Sequence, residues 1–162
     1  AASEVMFQYG PVAGTEHFRQ ELAKFLTRRY GDSVNKDELI LTTGATNGLH
    51  LVTSSLVRSG GVVFVENPSY FIALNILSGD MGLTVVPVNM TEHGLNVEEL
   101  EEGIKQSAEK HDTSVQDGRF WGMIYTIPTF HNPTGVTTTR AVGEKLINLA
   151  KKWKNPASTL KL

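Results

Sequence analysis

Apolar residues recur at helical spacing in five stretches of the chain. In the first, residues 15–30, they lie three or four positions apart among charged residues, which predicts an amphipathic helix that ends at Gly31. In the second, 46–58, they cover much of the helix circumference, so a well-buried helix is expected. Three more helices are predicted over residues 69–77, 96–108 (with Asn96 as its cap) and 140–153.

Short β-rich runs alternate with these helices. They cover residues 39–43, 62–65, 83–88 and 120–127. The run 62–65 (VVFV) is continuously apolar, which is typical of a strand covered on both faces in a parallel sheet. Pro87 cannot donate to a ladder, so its strand is expected at a sheet edge. The alternation predicts an α/β domain: a three-layer sandwich with a mostly parallel sheet and helices on both faces.

Composition narrows the class of protein. A chain of 162 residues, 40% hydrophobic and 20% charged, is long enough for one domain with its own core. The formal net charge of −2 gives no basic face for nucleic acid, and no apolar run approaches the roughly 18 residues of a membrane span. Cysteine is absent, which excludes disulfides and thiolate metal sites. We therefore expect a soluble, cytoplasmic domain or a piece of one, with no nucleic-acid or membrane partner.

Three stretches that could carry chemistry follow predicted strands. Residues 42–48 (TTGATNG) lead into a helix whose N-terminus could hold an anion, although a plain strand-to-helix turn is the stronger interpretation of this stretch alone. Residues 66–70 (ENPSY) place Tyr70 where its ring could cover an aromatic cofactor or simply pack. Residues 130–135 (FHNPTG) offer Asn132 as a ligand group or as a turn former.

His131, in the third of these stretches, is a candidate base or metal ligand by residue type. No second histidine or carboxylate lies at ligand spacing from it, so no metal site is predicted. All three stretches follow strands of one sheet on the carboxyl side. They are therefore expected at the same sheet edge, where ligands of open α/β folds bind.

Together with the first part of the chain, these stretches resemble the motifs of the class I/II aminotransferases, which are fold-type I pyridoxal 5'-phosphate (PLP) enzymes. The subgroup to which the chain is most similar is the 2-aminoadipate and aromatic amino-acid aminotransferases, and the resemblance covers about residues 7–153. It rests on residues 7–10 (FQYG) with Gly14, 18–19 (FR) and 22–23 (LA), on the phosphate cup 43–46 (TGAT), on the ENPxY segment 66–70, and on the signature 125–135 (YTIPTFHNPTG).

The resemblance implies a PLP site. The backbone N–H groups of Ala45 and Thr46, with the Thr46 hydroxyl, would hold the cofactor phosphate. Tyr70 would stack on the pyridine ring, and Asn132 would hydrogen-bond the phenolic oxygen. Tyr9 matches a tyrosine that reaches the partner's phosphate across a dimer interface, so a homodimer is expected for the parent enzyme.

The resemblance also implies a function for the parent enzyme, the transfer of an amino group between an amino acid and a 2-oxo acid.

In the family the Schiff-base lysine, the acidic partner of the pyridinium nitrogen and the carboxylate-binding arginine lie beyond the helix that ends here at Trp153. Residues 158–161 (STLK) have a faint likeness to the lysine motif, which we interpret as coincidence. We expect a fragment without catalytic residues that is inactive alone. The alternative is a non-catalytic truncated isoform that acts by binding a full-length partner.

Three segments follow from the resemblance. Residues 1–14 lead into the large domain, 15–154 form part of a PLP-binding large domain like that of aspartate aminotransferase, and 155–162 match nothing expected there.

We expect the family's sheet in the order a-g-f-d-e-b-c, of which this chain supplies a to d. Strand 39–43 would then lose its one neighbour and strand 120–127 both of its neighbours, which predicts a chain that is marginally stable, aggregation-prone or rescued by a full-length subunit. His131 departs from the subgroup, which usually has Gln at this position.

Overall fold

The computed structural model describes residues 8–114, 116–153 and the backbone of Leu160–Lys161. These residues belong to two units, which divide after Ala45. The first unit holds one long helix and a single turn of 3-10 helix over Lys36–Glu38. The second unit holds the sheet and the helices that pack on it.

Helix α1 (Glu16–Tyr30) confirms the first predicted helix. It ends at Gly31, whose φ of 74° is the left-handed conformation that favours glycine. Arg19, on its first turns, donates to the backbone carbonyls of Gly14 and Lys36 at 3.2 and 2.7 Å. One guanidinium therefore fastens the helix to the chain on both sides of it.

The segment 39–43, predicted as a strand, belongs to no sheet, so that prediction is wrong. The N–H of Leu41 donates to the carbonyl of Ala13 at 3.0 Å, which joins two loops rather than two strands. The Leu41 side chain also packs so closely on Gly14 that a Cβ there would stand 2.4 Å from Leu41 Cδ1. An apolar run becomes a strand only where a neighbouring strand takes up its ladder groups, and the described part of this unit offers none.

A five-stranded sheet forms the centre of the second unit. Its strands are β1 (Val57–Asn67), β2 (Thr84–Thr91), β3 (Gly94–Leu95), β4 (Phe120–Tyr125) and β5 (Leu160–Lys161). They lie in the order β3-β2-β1-β4-β5, and every neighbouring pair is parallel except β2 with β3. The predicted α/β class with a mostly parallel sheet is confirmed. Within the described residues β3 pairs only with Met90 and Thr91, so Pro87 has no outer neighbour, as predicted for a sheet edge.

Four helices accompany the sheet, each near a predicted one. They are α2 (Ala45–Leu56), α3 (Phe71–Leu74), α4 (Val97–Ala108) and α5 (Arg140–Lys152). α3 is shorter than predicted because the chain continues as a π-helical turn over Asn75–Asp80. Side chains of Asn96 and Thr139 cap α4 and α5 by accepting a backbone N–H of the first turn.

The pairing of β1 with β4 contradicts the expected strand order. The two strands are parallel neighbours from the pair Val62 and Gly122 to the pair Val65 and Tyr125. The crossover through α4 carries the chain back along the sheet, which lets β4 occupy the side of β1 that β2 leaves free. β4 therefore has a neighbour within this chain, and the expectation that it loses both is wrong.

A β-bulge interrupts the pairing of β1 with β4 near the start of both strands. Val57 pairs with Phe120 and Val62 with Gly122, so residues 58–61 of β1 stand opposite Trp121 alone. A Cβ at Gly61 would stand 2.7 Å from the Trp121 carbonyl oxygen and 2.9 Å from that of Arg58. Because both obstacles are backbone atoms, this bulge requires glycine.

Alternate residues of β1 face opposite sides of the sheet. Val62 and Phe64 join the core formed with α4 and α5, whereas Val63 and Val65 join the core on the side of α3. All four side chains are at most 2% exposed. The prediction of a strand covered on both faces, with helices on both sides of the sheet, is confirmed.

Helix α2 is less buried than expected. Leu49 packs against the core on the α3 side and Thr53 is buried, but Leu51, Val52 and Leu56 are exposed. Leu51 projects away from the face that Leu49 and Thr53 share, whereas Leu56 follows them on that face and Val52 lies beside it. In the described part of the chain all three of the exposed side chains stay uncovered.

The Asn96→Ala substitution should lower the free energy of unfolding by about 1 kcal/mol. Asn96 Oδ1 accepts the Glu99 N–H at 3.1 Å, and alanine cannot replace that acceptor. Urea denaturation followed by circular dichroism measures the change. Asn148→Ala, at an exposed position of α5, is the matched control and should stay within about 0.5 kcal/mol of wild type. If the two variants lose equally little, the cap does not contribute to stability.

Candidate cofactor site

The carboxyl ends of β1 and β4 meet at one edge of the sheet. Because the strands are parallel and pair up to Val65 and Tyr125, the next residues, Glu66 and Thr126, stand side by side. The loops that follow contain two of the stretches singled out in the sequence, with Asn67–Pro68 and Asn132–Pro133 as cis peptide bonds. The structure therefore brings the ENPSY and FHNPTG stretches to one edge, as predicted.

Glu66 is the centre of a buried polar network at this edge. It is 1% exposed and directly follows the apolar run of β1. Its Oε1 accepts the Thr126 hydroxyl at 2.6 Å, and its Oε2 accepts the Ile127 backbone N–H at 2.8 Å. A buried carboxylate needs such partners because removing an unpaired charge from water is costly. The network ties the end of β1 to the chain that leaves β4.

His131 completes the network from the loop. It is 2% exposed, with Nδ1 2.8 Å from Thr134 Oγ1 and Nε2 3.1 Å from Glu66 Oε2. The second distance is within ion-pair range, but Nε2 is not directed at the oxygen, so the contact is electrostatic rather than an aligned hydrogen bond. The His131 backbone donates to the Val136 carbonyl at 2.8 Å and accepts the Gly135 N–H at 2.6 Å.

Sequence reasoning missed the pairing of Glu66 with His131. Each residue was unusual by itself. Glu66 is a charged residue that directly follows an apolar strand, and His131 stands where the aminotransferase subgroup that this chain resembles usually has Gln. Neither signal says that the two side chains meet. Their contact depends on β1 lying next to β4, which differs from the expected strand order.

Tyr70 lies just after the turn that ends β1. It is half-buried and packs against the core on the α3 side, with the Phe71 ring edge-on to it at a centroid distance of 5.6 Å. This agrees with the packing interpretation of Tyr70. The exposed part of the ring remains open to a ligand, so its stacking on a cofactor stays a prediction.

Asn132 is exposed beside the buried His131. Phe130, on the other side of the histidine, is exposed too and has a φ of 49°, a left-handed conformation that bulky residues rarely adopt. Such a conformation persists only where the surroundings determine it. The buried contacts of His131 provide that constraint, and the neighbouring Asn132 is thereby held at the surface.

Ala45 and Thr46 begin helix α2, and both are exposed. The first turn of a helix has backbone N–H groups without intrahelical partners. α2 runs directly into β1 and packs on the sheet through Leu49, so its Thr46 end lies toward the carboxyl ends of the strands. Tyr9 belongs to the first unit, where it is exposed.

Tyr125, the last residue of β4, should titrate at higher pH than an ordinary tyrosine. Burial raises the pKa of its phenol, and the nearby charges of Glu66 and Tyr70 raise it further. Because the unfolded phenol ionises first, near pH 10, the stabilisation is complete below that pH and is lost as the pH rises through the folded pKa.

Urea unfolding between about pH 8 and about pH 11 tests this prediction. The free energy of unfolding should fall more steeply with pH in wild type than in Tyr125→Phe. Thr84→Ala, at an exposed position of β2 without a titratable group, is the control and should keep the wild-type slope. Equal slopes for wild type and Tyr125→Phe would contradict the prediction.

The first unit contains a cavity. It is an open groove of about 500 Å³ between α1 and residues 34–36. Its Lys24 and Lys36 ammonium groups each lie 2.8 Å from a carboxylate oxygen, of Glu21 and Glu16 respectively. Both of these ammonium groups are therefore already paired.

Among the described residues, no group of three His, Asp or Glu side chains is placed to hold a metal ion. The helices described include none that is both long and apolar enough to cross a membrane. The residues 158–159 of the faint lysine motif, like residue 7 of the family's opening motif, lie outside the described residues.

The sequence matches the aminotransferase class I and II family over residues 1–155, so the chain belongs to this family. It is 32% identical over 146 residues to aromatic-amino-acid aminotransferase 1 of Thermococcus litoralis, and the alignment covers 90% of this chain and 33% of the relative. The chain spans about a third of the length of the curated relatives it matches. The predicted resemblance to class I/II aminotransferases is confirmed.

Solved structures agree with this assignment. An archaeal alanine:glyoxylate aminotransferase superposes with a TM-score of 0.79 and 33% identity, covering 94% of this chain and 37% of that one. The α-aminoadipate aminotransferase of Thermus thermophilus, complexed with N-(5'-phosphopyridoxyl)-L-leucine, gives 0.73 and 28%, covering 93% and 34%. The chain has the fold of part of an aminotransferase large domain.

Proposed function

We propose that this chain is the cofactor-binding part of a PLP-dependent aminotransferase that transfers an amino group between an amino acid and a 2-oxo acid. The observation that carries the proposal is the convergence of the ENPSY and FHNPTG stretches at one sheet edge in a member of the aminotransferase family. Relatives named for aromatic amino acids and for α-aminoadipate support the reaction class.

The residues at this edge fit PLP chemically. The first turn of α2, with Ala45 and Thr46, offers backbone N–H groups and a hydroxyl to a phosphate. Tyr70 offers an aromatic face to the pyridine ring, and Asn132 offers an amide to the phenolic oxygen. PLP, when bound and joined to a lysine, supplies an electron sink for reactions at the amino-acid α-carbon. The four residues named here contribute binding and orientation.

We further propose that the parent enzyme is a cytoplasmic homodimer whose Tyr9 reaches the partner's phosphate. Tyr9 is exposed in the first unit, as a residue that contacts another subunit would be. Neither a nucleic acid nor a membrane is proposed as a partner, and the substrates are an amino acid and a 2-oxo acid.

A second candidate is a non-catalytic chain that acts by binding a full-length aminotransferase subunit. The exposed Leu51, Val52 and Leu56 of α2 favour it, because interfaces between subunits bury such side chains. The transcript downstream of Trp153 separates the two candidates. A frame that continues into Asp-x-x-Tyr and Ser-x-x-Lys supports the enzyme, and a stop codon after Leu162 supports the alternative.

PLP binding by the 162-residue chain tests the proposed site. Thr46→Ala and Asn132→Ala should each raise the Kd for PLP about tenfold, because each removes a hydrogen bond to a charged ligand. The Kd is measured by titration of the PLP absorbance. Thr84→Ala and Asn148→Ala, at exposed positions on β2 and α5, are matched controls that should leave it unchanged.

Binding should be weak and reversible, since no lysine lies in the loops that follow β1 and β4. Borohydride treatment should therefore leave no single modified lysine. An unchanged Kd in both site variants would contradict the proposal, and a single stoichiometric pyridoxyl-lysine by mass spectrometry would contradict the expected mode of binding.

A further inference from the structure

We propose that Glu66 and His131 are positioning residues that hold the loop 128–138 so that Asn132 is presented to the cofactor. The loop is closed at its base, where the Thr138 N–H donates to the Pro128 carbonyl at 2.8 Å. For the identity of the ligand this inference rests on the proposed function. For the attachment of the loop it rests on the structure alone.

His131 is the point at which the loop enters the interior. Its side chain and that of Glu66 are both 0% exposed, with 3.1 Å between Nε2 and Oε2. Glu66 also accepts from Thr126 and Ile127, which precede the loop. One carboxylate thus fixes both the start of the loop and a residue in its middle.

Burying the Glu66–His131 pair costs free energy. Removing a carboxylate and an imidazole from water costs free energy that apolar side chains of similar volume would not. The direction comes from the hydrogen-bonding groups on either side of the pair: Thr126 and Ile127 donate to the carboxylate, and the imidazole Nδ1 lies 2.8 Å from the Thr134 hydroxyl. Asn132 is the residue after His131, so its place at the surface follows from the place of the histidine inside.

The backbone around His131 transmits this positioning. Its N–H and C=O are bonded to Val136 and Gly135, which makes residues 131–136 a tight turn. If the imidazole leaves its site, the turn moves with it. The exposed Asn132 side chain has no comparable anchor of its own among the described contacts.

The experiment compares the Kd of PLP with that of 3-O-methylpyridoxal 5'-phosphate, which lacks the free phenolic oxygen that Asn132 is proposed to contact. Wild type should prefer PLP about tenfold, and Asn132→Ala should abolish the preference. His131→Ala should also abolish it although Asn132 is intact, whereas His131→Gln, with a side chain that can still donate and accept, should restore most of it. Thr46→Ala should weaken both ligands equally and keep the preference.

A second measurement does not depend on the cofactor. Amide hydrogen exchange of Gly135, followed by NMR, should be about tenfold faster in His131→Ala than in wild type. Thr134→Val removes the hydroxyl that contacts Nδ1 and should speed the same exchange if His131→Ala does not fold. Glu98→Gln, a change to an exposed carboxylate of α4, is the control and should alter neither readout.

The outcomes separate the inference from the proposed function. If Asn132→Ala loses the preference but His131→Ala keeps it, the positioning role is overturned and the proposed site stands. If wild type shows no preference or does not bind PLP while His131→Ala speeds Gly135 exchange, the proposed site fails and the attachment of the loop is supported. Unchanged Gly135 exchange in both His131→Ala and Thr134→Val overturns the inference.

Discussion

Glu66→Ala should lower the free energy of unfolding by about 2–4 kcal/mol. The substitution leaves the buried His131 without its carboxylate, and it leaves the Thr126 hydroxyl and the Ile127 N–H without an acceptor. Domains are stabilised by only about 5–15 kcal/mol in total, so this loss is a large fraction of the whole. Urea denaturation monitored by the fluorescence of Trp121, which is 1% exposed in the core, measures it.

Two further variants separate the contributions of the individual Glu66 contacts to the free energy of unfolding. Glu66→Gln keeps an acceptor oxygen and should lose less, and Thr126→Val, which removes one hydrogen bond, should lose about 1 kcal/mol. Glu98→Ala, at an exposed carboxylate that pairs with Lys145, should change the free energy of unfolding far less than Glu66→Ala. If Glu66→Ala and Glu98→Ala destabilise alike, the buried network does not hold β1 and β4 together.

A polypeptide of these 162 residues should catalyse no transamination above the rate of free PLP. Covalent catalysis by PLP requires an amine at the cofactor. In the second unit, every lysine whose side chain is described lies on α4, on α5 or on the turn after α4, such as Lys145 and Lys152, which pair with Glu98 and Glu101. Enzymes accelerate reactions at least about 10⁶-fold, so turnover of that kind would be unmistakable.

The assay uses aromatic amino acids, 2-aminoadipate or glutamate as donors, a 2-oxo acid as acceptor, and added PLP. Lys161→Ala is the informative variant, because Lys161 ends the stretch that faintly resembles the lysine motif. Turnover in wild type that disappears in Lys161→Ala would contradict the prediction and make that residue the Schiff-base lysine.

Residues 62–65 show why much of the fold could be predicted from the sequence. An unbroken run of Val and Phe is stable as a strand only between two layers, and all four side chains are indeed covered. Gly31 and Asn96 could likewise be predicted from their residue types. Glycine adopts the left-handed conformation that ends a helix, and the asparagine side chain accepts a free backbone N–H at the start of one. Such predictions succeed because the cause lies within a few residues of the effect.

The segment 39–43, helix α2 and Glu66 show why the rest could not be predicted. A β-rich run, an apolar helix and a charged residue at a strand end each have a local pattern, but their outcome depends on what lies beside them. Among the described residues, the run 39–43 has no partner strand in its unit, and Leu51 and Val52 of α2 stay exposed. Glu66 finds His131 only because distant strands become neighbours.

The bulge at Gly61 limits how this sequence can drift over generations. At most positions a larger residue can be accommodated once a neighbouring side chain becomes smaller, so two mutations can succeed where one fails. Gly103 tolerates an added methyl group, because that group would meet the Phe64 ring at an ordinary contact distance of 3.5 Å. At Gly61 the obstacles are the carbonyl oxygens of Trp121 and Arg58, which no change of side chain can remove. Lineages that keep this register between β1 and β4 must therefore keep this glycine, while Gly103 can be replaced by alanine.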